Sequence, residues 1–553
     1  MPRDARPVHL AAWLVAAWLA ALPTRSTAEA PVHTQWGAAR EPSWPTQVCA
    51  TLSADIISKR GSIDDYDADG VNTHPDHDRL QKAIDACPVG AVKLVAGDKG
   101  EDGFLISPIR LKSNVTLWID KGVTVFASRD PKDYDTGSGD CGTNNHNGHP
   151  ACHALFEGKN LERYGIVGDG KVDGRGGSRL LSGPNKGRAS WWDIEWQGRQ
   201  GLGAQVFPLV QTEGGRDFLI YRVTFENGPG VHLAPSGDGV IAWEIKILAP
   251  SLVYSVPGYA CPTGSTPDVN PAATCFTPAT VKATDGFAPA NAMHVLLAYS
   301  WISDGGDAIA IEAGGKLLSA DQTYAHNHVY SGNGLALGPE TDGGAEHLLI
   351  DDLVMDGKGS RDGSGLRLTS NATSGGKIRD VVFQHICMTG EAHPIVFDAD
   401  AGAKDGAKND DRTGKLHPDF RGPDFRGPDF KGPDFKGIVV RDLHYVPGSK
   451  SGAGVSTFRG FEESGAKLPV EVTLDTVVWD SGVPGISTGH AKADGTAFAA
   501  HLTLVGKTSF AKVFTPSDAD DVTVKTEPSS ATTLSACDGA FVPLSSVLPD
   551  SPI

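Results

Sequence analysis

The chain has 553 residues, of which 49 are basic and 67 acidic, giving a formal charge of −18 at pH 7. So acidic a surface repels nucleic acid and anionic membrane, and it excludes partners that are held by bulk positive charge. The length admits several ordinary domains, so the pattern along the chain has to decide how many there are.

Residues 1–30 carry Arg3 and Arg6, an apolar run from Leu10 to Leu22, and small residues up to Ala28-Glu29-Ala30. That order predicts a secretory signal peptide, followed by one unit over 31–553 that is secreted or periplasmic. The apolar run is shorter than the ~20 residues a membrane span needs. Without the leader, 46 basic side chains oppose 65 acidic ones, a charge of −19.

All eight cysteines lie beyond the leader, and an even count in an exported chain favours disulfides. Cys141 with Cys152, and Cys261 with Cys275, are close enough to close local loops. Cys49, Cys87, Cys387 and Cys537 can pair in more than one way. His146, His149 and His153 flank the first loop with spacing too loose for a metal site, and no metal or cofactor is expected.

Farther on, Asp65, Asp67 and Asp69 precede Gly70, with Asp76 in the twelfth position of a would-be calcium loop. Pro75 and the lack of a preceding helical pattern make this an acidic turn instead. Helical pattern is confined to about Asp78–Ala86, where Leu80, Ile84, Ala83 and Ala86 share a face that would cap a solenoid end. Trp191, Trp192 and Trp196 either stack on sugar rings or pack a loop.

From Val223 onward, short β-branched or aromatic runs end in a small or polar residue and Gly, as at Gly228, Gly305, Gly332, Gly357 and Gly390. The last four glycines lie 27, 25 and 33 residues apart. A period of that size in strand-type sequence predicts an all-β fold, a right-handed parallel β-helix with three short strands per coil. Hairpin turns every ~8–12 residues would instead mark a sandwich.

Four polar segments interrupt this register: Thr284-Asp285-Gly286-Phe287, Ser303-Asp304-Gly305-Gly306-Asp307, Ser331-Gly332-Asn333-Gly334, and Gly365-Leu366-Arg367-Leu368-Thr369. Aligning Gly305 with Gly332 puts Gly306 and Asn333 one coil apart in one column. Carboxylates on adjacent rungs, ~4.8 Å apart, then face one groove. Beyond them, residues 418–437 repeat the unit Pro-Asp-Phe-basic-Gly four times. This is a tolerated insertion or an aromatic arm of Phe420, Phe425, Phe430 and Phe435.

In order and spacing, the four polar segments resemble those of the polygalacturonases, family 28 of the glycoside hydrolases, whose pattern is Asn-Thr-Asp, Gly-Asp-Asp, Gly-His-Gly and Arg-Ile-Lys. The flanking text resembles the bacterial exo-poly-α-galacturonosidase branch. The resemblance implies a monomeric, exported, exo-acting enzyme that hydrolyses α-1,4-galacturonosyl links of pectic polysaccharide by inversion. Asp285 and Asp307 would activate water, and Arg367 would bind substrate. Gly306 stands at the proton donor's place, which makes Asp304, in the same turn, the substitute donor, with Glu312 and Glu340 nearby.

Three more positions depart from the family pattern. Asn333 replaces a histidine, Thr369 replaces a lysine that would grip a galacturonate carboxylate, and Glu312 replaces another lysine. Restoring Asp at 306 and His at 333 together should raise hydrolysis. Two other classes remain open: a catalytically impaired pectin-binding homologue, and a pectate lyase-like eliminase.

Overall fold

In a computed structural model, the protein is described over residues 31–145, 150–198, 204–315, 317–358, 363–371, 375–401, 432–446, 455–463, 466–479, 493–508, 510–512, 522–528 and 537–553. The leader at 1–30 and residues 418–431 of the tandem units lie outside these residues.

The chain winds into a right-handed parallel β-helix with three sheets. The strand Ser319–Leu337 shows the plan, since it follows one whole coil. Residues 320–325 pair in parallel with Ala292–Ala298 in the first sheet, residues 328–331 with 301–303 in the second, and 335–337 with 309–311 in the third. Inward positions stack coil on coil, as in the row Phe218, Val240, Val295, Gln322, Leu348, Val381, Ile438 and Val472. Gln322 is the polar exception. It is fully buried, and its amide donates to Ala292 O (2.7 Å) while its carbonyl accepts from Tyr324 OH (2.6 Å), so its burial leaves neither group unmet.

Between the first and second sheets, one left-handed residue turns each coil: Arg222, Glu244, Tyr299, His326, Asp352, His385, Asp442 and Thr476, with φ between 51° and 66°. Two long gaps in this series, 244 to 299 and 385 to 442, mark the places where loops are inserted.

The helix α1 (His77–Ala86) closes the N-terminal end. Leu80 and Ile84 are buried against the first coil, whereas Ala83 is half-buried and Ala86 is exposed, so the apolar face is narrower than the spacing predicts. The disulfide Cys49–Cys87 ties this helix to the neighbouring strand Val48–Ser53, and Cys141–Cys152, Cys261–Cys275 and Cys387–Cys537 complete the set.

The acidic turn is held by arginines. Asp67 is fully buried, with Arg129 Nη2 at 2.6 Å and Arg175 Nη1 at 2.7 Å, while Asp65 is an exposed partner of Lys59.

A second helix, α2 (Trp191–Gly198), escapes the sequence pattern because its faces are not amphipathic. Trp191 packs on Tyr134 and Phe207, and Trp192 on Tyr254 and Phe276, with its Nε1 donating to Gly228 O. Both are fully buried, which settles them as loop packing. The last tandem unit is likewise structural. Phe435 is buried in the solenoid core on the strand Asp434–Val446, and Asp434 pairs with Arg379. Phe435 is therefore not a sugar-stacking arm; Phe420, Phe425 and Phe430 lie outside the described residues.

Candidate active site

The groove is built where the second sheet gives way to the third. Asp285 precedes Phe287, which bridges in parallel to Leu233 and Ile309, so the Asp285 turn belongs to the third sheet's ladder. Its backbone is pinned from below. Asp285 O accepts from His232 N (2.8 Å) and from His232 Nδ1 (3.2 Å), while His232 Nε2 accepts from Gly228 N (3.2 Å). These bonds fix the neutral Nδ1–H tautomer, and burial pushes this histidine down to about 4. Sequence reasoning missed His232; its only signal is the Gly228-Pro-Gly230 bend before it.

One coil on, Asp307 N donates to Asp285 Oδ1 (2.8 Å). Both Asp307 oxygens are then taken from the other side. Asn333 Nδ2 donates to Oδ1 (2.7 Å), and Arg367 Nη2 forms a short ion pair with Oδ2. Asp285, Asp307, Asn333 and Arg367 thus share one groove across successive coils.

The column assumed from sequence is corrected. Ser303 pairs with Ser331, and Asp307, not Gly306, pairs with Asn333. Residues 304–306 bulge out of register because three residues span a step that Gly332 alone makes on the next coil. This bulge aims Asp307 into the groove.

It also turns Asp304 inward. Asp304 is fully buried, its Oδ1 accepts from Gly306 N (3.2 Å), and its Oδ2 has no partner among the described residues. Burial, and then the Asp285 and Asp307 charges, push its carboxyl well above the usual range. A Cβ on Gly286 would meet Asp304 Oδ2 at 2.8 Å, and one on Gly332 would meet Oδ1 at 2.4 Å, so both glycines make room for this inward side chain. The placement weighs against Asp304 as the donor to a substrate in the groove.

The inserted loop 249–284 lies over the same turn. An added Cβ at Gly305 would sit 2.3 Å from Pro278 O and 2.7 Å from Val281 O, and Tyr259 OH lies 3.4 Å from Ser303 Oγ.

Farther along the strand stands Glu312, an exposed residue next in line with Ala290. Desolvation by the groove wall, then the Glu340 and Asp307 carboxylates, push it up to about 7. Thr369 is buried at the end of the strand Ser364–Thr369, paired with Asp398. Glu340 is exposed.

Asp285 is half-buried. Burial, then the Asp307 and Glu312 charges, push it up to about 7, against the opposing pull of Arg367. Among the described residues, no group of three or more His, Cys, Asp or Glu has metal-holding geometry.

Comparison with known proteins places this geometry. Residues 91–415 match the family described as Glycosyl hydrolases family 28. A polygalacturonase from Ralstonia solanacearum is 44% identical over 529 residues, covering 94% of this chain and 95% of its own. The solved polygalacturonase from Erwinia carotovora ssp. carotovora superposes with a TM-score of 0.59 at 27% identity, over 81% of this chain and 97% of that one. The exopolygalacturonase from Thermotoga maritima reaches a TM-score of 0.51 at 15% identity, covering 89% of this chain and 93% of its own, a likeness of fold alone.

Proposed function

Because the chain belongs to family 28 of the glycosyl hydrolases, we propose that it is an exported pectin-degrading hydrolase that cleaves α-1,4-galacturonosyl links by inversion, acting from a chain end. The observation that carries this reading is the Asp307 carboxylate, held between Asn333 and Arg367 with Asp285 one rung away. Two carboxyl groups in one groove supply the acid and base that glycoside hydrolysis needs. Action from a chain end is consistent with the loop 249–284, which packs against the turn beside Asp307. Export is supported by the four disulfides and the leader-like start of the sequence.

Asp307 serves as the base that takes a proton from water. Arg367 orients it and neutralises part of the groove's charge. Glu312 and Thr369, at positions where the family pattern has lysines, make the groove poor in cations, so methyl-esterified or neutral stretches of pectin suit it better than bare galacturonate.

Reducing-end release from polygalacturonate and from esterified pectin, followed together with ultraviolet absorbance, tests the reading. Saturated monomer or dimer as first product is expected. Absorbance from an unsaturated product would make the protein an eliminase. Binding without release would favour a second reading, a pectin-binding homologue of impaired catalysis, which the missing side chain at Gly306 supports.

A further inference from the structure

We propose that Asp285 is the proton donor of this site, its carboxyl occupying the space that a side chain on residue 306 would fill. The inference rests on the hydrolase reading above and assigns the role that Gly306 leaves vacant.

A Cβ built on Gly306 would lie 2.0 Å from Asp285 Oδ1 and 2.8 Å from Asp285 N. Asp285 Oδ1 therefore already sits where a residue-306 side chain would start. The glycine is what lets the neighbouring coil's carboxyl into that position.

The second step is the division of labour between the two carboxyl groups. Asp307 has both oxygens engaged by N–H donors, from Asn333 and Arg367, which orient it as an acceptor whose remaining lone pairs can take the proton of water. Those same donors draw its carboxylate toward the later coils, away from Asp285. Asp285 accepts one hydrogen bond, from Asp307 N to Oδ1, so Oδ2 is the atom that carries the proton. The charged groups around Asp285 are unbalanced. Asp304 lies beneath it, Asp307 beside it and Glu312 along the strand, against the cation Arg367, while the neutral His232 reaches only its backbone. Burial among like charges keeps such a carboxyl protonated near neutral pH, the condition for a general acid.

The bond between the anomeric carbon and the glycosidic oxygen breaks, its electron pair staying on the oxygen, which takes the proton from Asp285 Oδ2. Water adds to the anomeric carbon and gives its proton to Asp307. Exchange with solvent then returns a proton to Asp285 and removes one from Asp307.

A leaving group that needs no proton separates this role from that of a water-activating base. Rates are measured on polygalacturonate and on 4-nitrophenyl α-galacturonide, with the full-length protein and its Asp285→Asn and Asp307→Asn variants. Asp285→Asn is expected to lose on the order of 10²–10⁴-fold on the polymer and less than about tenfold on the nitrophenyl substrate. Asp307→Asn is expected to lose heavily on both. An equal loss on the two substrates for Asp285→Asn would overturn the proposal and return Asp285 to water activation. If Asp285→Asn does not fold, the unmodified protein decides. Its kcat/KM on the polymer should fall as pH rises through about 7, where Asp285 loses its proton, and the nitrophenyl profile should lack that limb. The same limb on both substrates would also overturn the assignment. An unmodified protein that cleaves neither substrate would sink the hydrolase reading itself.

Discussion

Two acidic clusters in this solenoid are built from the same residue type and behave in opposite ways. Near the N-terminal end, Asp64 and Asp67 face Arg129 and Arg175, two anions against two cations. Against the burial that raises it, Arg175 and Arg129 hold Asp64 below the ordinary carboxylate range. In the groove, Asp285, Asp304, Asp307 and Glu312 share Arg367, and burial among uncompensated charge raises Asp285 and Asp304 instead. Balanced charge makes a fastener. An excess of carboxyl groups over cations keeps protons in place, and a held proton is what acid catalysis requires.

The sharpest way to break this comparison is to unbalance the fastener. Arg175→Met leaves Asp67 buried with one cation, and should cost about 3–5 kcal/mol in denaturant unfolding. A cost below about 1 kcal/mol would mean that the N-terminal network is not structural.

The groove responds differently, because its imbalance is functional. The double change Gly306→Asp with Asn333→His, which the family pattern suggests as a restoration, puts a Cβ against Asp285 and removes the amide that holds Asp307. We expect destabilisation of about 1–3 kcal/mol by overpacking, and hydrolysis below the native level. Activity well above native would show that the donor's place is open after all.

These two cases show what the sequence discloses. The period of the glycine-terminated runs revealed the solenoid, because every coil repeats the same inward row, and the motif order revealed that Asp285, Asp307, Asn333 and Arg367 meet. The bulge at 304–306 was not legible, since it depends on how many residues cross one corner relative to the next coil. That count moves Gly306 out of the Asn333 column and turns Asp304 inward. α2 was hidden because Asp193, Glu195 and Gln197 alternate with its apolar residues and leave no helical stripe, and His232 because it acts through a backbone carbonyl.

A smaller effect concerns a carboxyl outside the groove. Glu391 is fully buried, neither of its oxygens has a partner among the described residues, and burial, then Asp356, pushes it up to about 8. A carboxyl raised on folding contributes stability that is present below its unfolded value of 4.5 and is lost as pH rises through about 8. Thermal unfolding should therefore occur at lower temperature at pH 9 than at pH 6, and Glu391→Gln should flatten that slope. An unchanged slope would assign the pH dependence to other groups.

The smallest expected effect tests the groove's charge alone. Glu312→Lys should tighten binding to de-esterified pectin at low salt by about 0.5–1.5 kcal/mol, an exposed charge being well screened, and added salt should erase the gain. Native protein that already prefers the de-esterified polymer would contradict the meaning given to Glu312 and Thr369.

The fourth Pro-Asp-Phe-basic-Gly unit enters the solenoid, with Phe435 in the core and Asp434 on Arg379. Because the anchoring copy is the last, units can be added or deleted ahead of it without shifting the strand that follows. A chain with two units or six would still deliver the same phenylalanine and the same Ile438–Leu443 register to the coil. Deleting one whole unit ahead of Asp434 should therefore leave everything from Asp434 onward in step.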